Sequence, residues 1–138
     1  MAYQLLEAVQ NARLDQIDTL IGASGSLRIY TGAQPALCTS ANTGTLLAHI
    51  NLPNPAFAAA ATGTMAKSGT WQDASADGGS ASTPGHFRFY NSQVTMDGTT
   101  CVGQGDCAIG SGLINFDGTI TAGQQVTINT MVITEGND

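Results

Sequence analysis

The chain has 138 residues and a net charge of −6, and only 10% of its residues are charged, against roughly 25% in an average soluble protein. That length supports one domain with a real core, and 42% hydrophobic residues exclude a disordered chain. Four Lys and Arg against ten Asp and Glu disfavour free nucleic acid and an anionic membrane surface as partners, because both need clustered cations.

Residues 3 to about 21 read as a helix. Leu6, Val9, Leu14, Ile17, Leu20 and Ile21 fall on one arc of the helical wheel, and Glu7, Asp15 and Asp18 fall opposite. Gly22 is a natural stop. Gln10 and Arg13 interrupt the apolar arc. Two dockings therefore stay open: on the chain's own domain, or on a partner subunit where polar positions set register. The expected division is a helix or arm over 1–22 and a single β domain over 23–138. The N-terminus lacks a basic region followed by an apolar run, and no stretch reaches the length of a membrane span. The expectation is a soluble protein made in a reducing cytoplasm.

From residue 26 onward the pattern is β. Candidate strands are 26–31, 45–52, 64–71, 86–92, 99–104, 112–116, 119–121 and 124–134. Leu27-Arg28-Ile29-Tyr30 is echoed by Phe87-Arg88-Phe89-Tyr90. Both have the period-two pattern of a half-buried strand. Leu27, Ile29, Phe87 and Phe89 face the core in this reading; Arg28, Tyr30, Arg88 and Tyr90 face the other way. Asp97-Gly98 and Asp117-Gly118 lie between apolar runs and predict type I′ hairpin turns. Residues 32–44, 53–63 and 73–85 read as long loops. Absence of helix–strand alternation disfavours a parallel α/β fold. The expected class is mainly β: a β-sandwich or jelly-roll-like antiparallel domain with one N-terminal α-helix.

The residues carry little chemistry. His49 and His86 fall in strands, out of phase with their apolar neighbours, and read as solvent-facing. Cys38, Cys101 and Cys107 are an odd number. They read as three buried thiols, with one disulfide as the alternative in a particle that later meets oxidising conditions. Cys101 and Cys107 lack the close spacing of structural zinc ligands. No G-x-S-x-G elbow surrounds a serine. Asp97, Asp106 and Asp117 have no EF-hand spacing. Gly103-Gln104-Gly105 and Gly110-Ser111-Gly112 open no helix, which disfavours a phosphate cradle. The expectation is a non-enzymatic protein with no cofactor, no catalytic residue and no metal ligand. Arg13, Arg28, Tyr30, Arg88 and Tyr90 are the candidate protein-interface residues. Pairing of Arg28 and Arg88 with the chain's own acids, such as Asp73, Asp77 or Glu135, is the alternative use of that face.

Longer words in the chain resemble a known family. Leu27-Arg28-Ile29-Tyr30-Thr31-Gly32-Ala33-Gln34-Pro35-Ala36, Gly44-Thr45-Leu46-Leu47-Ala48, Pro55-Ala56-Phe57, Phe87-Arg88-Phe89-Tyr90 and Ala122-Gly123-Gln124-Gln125-Val126-Thr127-Ile128 together resemble small virion-associated structural proteins of tailed bacteriophages and prophages. The resemblance runs over residues 5 to 137, and its motifs are strands and turns. It implies a particle component made in the host bacterial cytoplasm and located in the virion. A capsid decoration or cement protein comes first, binding joints between major capsid subunits and self-associating as a trimer or dimer. A head-tail connector or tail ring component is the alternative. An exterior glycan- or receptor-binding module using Trp71, Tyr30 and Tyr90 is the second alternative.

Overall fold

The two echoed strands lie side by side. In the computed structural model, which describes residues 3–135, β1 (Ser26–Tyr30) runs antiparallel to β5 (His86–Tyr90). Leu27 faces Phe89, Ile29 faces Phe87 and Arg28 faces Arg88. They form the centre of a five-stranded sheet ordered β2-β1-β5-β6-β7, with β2 at Leu46–Asn51, β6 at Cys101–Ile109 and β7 at Ile114–Phe116. Only the β6–β7 pair is parallel. Leu27, Ile29, Phe87 and Phe89 are buried in the apolar core, as their alternation predicts. The protein is thus mainly β with one α-helix and largely antiparallel pairing. Residues 1–2 and 136–138, the outer ends of the two segments read from the sequence, lie outside the described residues.

The remaining strands pair as a ribbon. β3 (Thr64–Ala66) pairs with β9 (Val132–Thr134), and β4 (Trp71–Asp73) pairs with β8 (Val126–Ile128). The two ladders differ in register by one residue, so the expected strands 64–71 and 124–134 are each split in two. The extra residue falls in the Lys67–Thr70 segment, where Gly69 takes φ +70° and the Lys67 N–H donates to Met131 O at 2.9 Å. Trp71 from this ribbon meets Phe57 and Phe89 edge-on, with ring centroids 5.2 and 5.8 Å away, the geometry that aromatic quadrupoles favour.

Neither Asp-Gly pair makes the expected hairpin. Gly98 and Gly118 are absent from the positive-φ residues that a type I′ turn requires. Asp97 instead closes a local turn, accepting the Thr99 N–H at 2.8 Å and the Thr99 hydroxyl at 2.6 Å. The glycine at 98 answers a close approach: a Cβ there would collide with Thr39 O in the 32–44 loop. Asp117-Gly118 leads from β7 into a single bridge between Ile120 and Ser82.

The helix α1 (Glu7–Ile21) ends at Gly22, φ +68°, whose N–H donates to Asp18 O, as the sequence predicts. Its faces are rotated from the expected ones. Gln10, Leu14 and Ile21 are buried and Ile17 packs beside them, but Leu6, Val9 and Leu20 are exposed, as is Tyr3 before the helix. The polar side also bonds to the rest of the chain, although Glu7 and Asp15 stay exposed. Asp18 Oδ1 accepts the N–H groups of Ala56 and Phe57, both at 3.0 Å. Asp15 Oδ1 accepts Ala60 N–H at 2.7 Å, and Asn11 Oδ1 accepts Gly63 N–H at 2.9 Å. Residues 11, 15 and 18 recur at helical spacing, so one polar stripe caps the N–H groups of Ala56, Phe57, Ala60 and Gly63.

Two substitutions test this rotation of the faces. Asp18→Ala strands two backbone N–H groups and should cost about 1–3 kcal/mol. Leu20→Ala removes an exposed side chain and should stay within about 0.5 kcal/mol. Urea denaturation of both variants reads the difference, and the reverse ranking would restore the sequence-based assignment of the faces.

Candidate functional site

The sheet's other face carries a polar row. His49, Arg28, Arg88 and Gln104 stand in register across β2, β1, β5 and β6, so all four project to one side. The 32–44 loop covers the centre of this row. Arg88 is fully buried. Its Nη1 donates to Ser40 O at 3.1 Å and to Asn42 Oδ1 at 2.5 Å, and its Nη2 donates to Cys38 O. The planar fork thus holds three acceptors of one loop. Gln104 Nε2 adds a bond to Pro35 O at 2.6 Å.

Two tyrosines flank the arginine. The Tyr90 hydroxyl donates to Asn42 Oδ1 at 2.6 Å, so the 2.9 Å contact between the hydroxyls of Tyr30 and Tyr90 has Tyr30 as donor. Burial first, then the bond with Tyr30, raises the Tyr90 pKa well above its ordinary value; the charges of Arg88 and Arg28 pull against this. His86 is buried and stacks on Tyr30 with 5.1 Å between ring centroids. Its Nδ1 lies 2.9 Å from Gly32 O. A carbonyl only accepts, so Nδ1 carries the proton. Burial holds the His86 pKa below its usual value, and the Arg88 charge adds to this.

A disulfide fixes the loop. Cys38 is bonded to Cys101 across a separation of 63 residues, which corrects the expectation of three thiols. Cys107 is buried and remains a thiol. Burial, with Asp106 nearby, pushes its pKa up to about 12, so it is scarcely ionised at neutral pH.

Of the interface candidates, Tyr30, Arg88 and Tyr90 are buried beneath the chain's own loop. They do not present the contact surface read from the sequence. Arg28 is half-buried. Arg13 lies apart, on the helix, and pairs with Glu135 at 2.6 Å; at that exposure the pair adds little stability. None of the acids expected to pair with Arg28 or Arg88 does so: Glu135 pairs with Arg13, and Asp73 and Asp77 bond His49, the cross-strand neighbour of Arg28. His86 is a further correction, because its strand has both faces covered and the ring is buried.

His49, Asp73 and Asp77 are the one set of three metal-ligating side chains found together among the described residues, with their ligand atoms within 4.8 Å of one another. Sequence reasoning missed the set because its members come from β2, β4 and the following turn, far apart in the chain. Their bonds already have a structural use. Asp73 Oδ2 accepts the His49 N–H at 3.0 Å, Asp77 Oδ2 lies 2.6 Å from His49 Nδ1, and the Asp77 N–H donates to Leu47 O at 2.8 Å. These contacts occupy the outer edge of β2, which would otherwise be open to strand addition. Elsewhere, two adjoining pockets of about 140 and 260 Å³ share Phe116, Asp117 and Thr127. Neither is lined by a histidine or cysteine. No protein-family model, curated protein or solved structure matches the chain.

A thiol titration checks the covalent frame. Unfolded without reductant, the chain should show one reactive thiol, that of Cys107, and after reduction all three. Reduction should then lower stability by roughly 4 kcal/mol on the chain-entropy model, read from the denaturation midpoint. Three thiols before reduction would contradict the assignment.

His86 adds a pH dependence. Its folded-state pKa lies below the unfolded value of 6.5. The unfolded chain therefore takes up a proton first, and the stabilisation is full above about pH 6.5 and lost as pH falls through the folded value. Denaturation midpoints should drop on acidification in this window, and His86→Gln should flatten that slope.

Proposed function

We propose that this chain is a non-enzymatic structural protein of the tailed-phage virion: a capsid decoration or cement subunit bound at joints between major capsid subunits. The observation that carries the reading is the rotated helix. Its polar stripe bonds to the chain's own backbone, and Val9 and Leu20 on the helix, with Tyr3 and Leu6 just before it, are left at the surface beside an element held by Asp15, Asp18 and Asn11. A firmly anchored element with apolar side chains outward suits docking on another protein.

The wider architecture supports the same reading. The five-stranded sheet and the ribbon facing its apolar side are read as the two layers of a small sandwich of jelly-roll type. The long 32–44 loop is tied down by a disulfide and by Arg88, which suits a part whose task is to hold shape under load. A disulfide in a chain made in a reducing cytoplasm fits completion in an oxidising medium after release. Self-association as a dimer or trimer on the particle belongs to this proposal. Trp71, Tyr30 and Tyr90 are buried, so they form no platform for stacking on sugar, which removes the ground for the glycan-binding alternative.

The experiment is the protein's copy number in purified virions, with binding of the isolated chain to capsids lacking it. Cement scales with the capsid surface, whereas a connector or tail ring keeps the low copy number of one cyclic ring. A surface-scaled number supports the proposal; a ring-sized number overturns it in favour of the connector or tail component. Leu6→Glu with Leu20→Glu should weaken capsid binding at least about tenfold and leave the melting temperature nearly unchanged. Unchanged binding would remove the helix from the contact.

A further inference from the structure

Arg28 is the side chain that the fold leaves unexplained. It stands directly opposite Arg88, and like charges in that position repel. Salt bridges among the described residues are Arg13 with Glu135 and His49 with Asp77, so no carboxylate neutralises either guanidinium of the facing pair. The loop satisfies only part of Arg88. Buried without a hydrogen-bond partner on this face are Arg28 Nε, Arg88 Nε, His86 Nε2 and Gln104 Oε1. Arg88 and His86 are fully buried, where an unmade hydrogen bond is costly. Water could fill such a gap, but water carries no charge to set against two guanidiniums.

We propose that Arg28 and Arg88, at the margin of the 32–44 loop, form a binding site for a small oxyanion, of which phosphate and sulfate are the simplest members. The half-exposed Arg28 supplies the entrance and the planar fork that oxyanions favour, and the buried Arg88 charge directly opposite adds its attraction. This site is independent of the capsid reading, since it rests on the sheet's polar face and the helix plays no part in it.

Thermal unfolding at constant ionic strength tests it, with chloride replaced stepwise by phosphate or by sulfate, on wild type, Arg28→Gln, Arg28→Lys and Arg13→Gln. The wild-type melting temperature should rise saturably, by roughly 5 °C. Arg28→Gln should abolish that rise, Arg28→Lys should keep part of it, and the distant Arg13→Gln should keep it all. In chloride alone, Arg28→Gln should melt at or above wild type, because one of two facing charges is gone. Far-UV circular dichroism confirms that each variant is folded. A rise that never saturates, or that is equal in Arg28→Gln, is a general salt effect and overturns the site, as does no rise at all.

Discussion

A buried guanidinium organises one side of this molecule. Taking Arg88 out of water costs several kcal/mol, and no carboxylate among the described residues pairs with it to offset this. The chain answers with acceptors from the 32–44 loop: Ser40 O, Asn42 Oδ1 and Cys38 O. Hydrogen bonds to a charged donor contribute about 1.5–3 kcal/mol each, which is enough to matter only if the loop is already held in place. The Cys38–Cys101 bond holds it at its middle, and Gly98 lets the neighbouring turn press against Thr39. Arginine, loop and disulfide are therefore mutually dependent.

The central strand carries the consequence. Every residue of β5 is buried, because Phe87 and Phe89 face the aromatic core while His86, Arg88 and Tyr90 face the loop. The sheet thus has an apolar core on one side and a polar, hydrogen-bonded one on the other. The helix combines both, bonding Asp15, Asp18 and Asn11 to the chain's backbone and burying Leu14 and Ile21 while Val9 and Leu20 stay outside. Polar side chains thus help hold the parts together, and some apolar ones are left at the surface.

How much of this was legible depended on range. Period-two alternation located Leu27, Ile29, Phe87 and Phe89 in the core, because alternation is local and one-sided burial enforces it. The same alternation could not tell that Tyr30, Arg88 and Tyr90 are buried, because the loop over this face has no periodic pattern and binds through backbone carbonyls and the single side chain of Asn42. An aspartate on a helix reads identically whether it only faces water or also caps a backbone N–H, so the bonds of Asp15 and Asp18 were not legible where the stop at Gly22 was. Three cysteines left the bridge open, since an odd count fixes no pairing. Asp97-Gly98 carried a true turn signal with the wrong geometry, the glycine being needed for contact with Thr39. The trio of His49, Asp73 and Asp77 gave no signal, as only the folded chain brings it together.

The central claim is that the 32–44 loop is locked on the Arg88 guanidinium. Nitrogen-15 spectroscopy of the arginine side chains measures this directly. In the oxidised protein at neutral pH, the Nη protons of Arg88 should be resolved, slowed in rotation and protected from solvent exchange, while those of exposed Arg13 should average and exchange rapidly. Arg88 signals that exchange as fast as those of Arg13 would contradict the account.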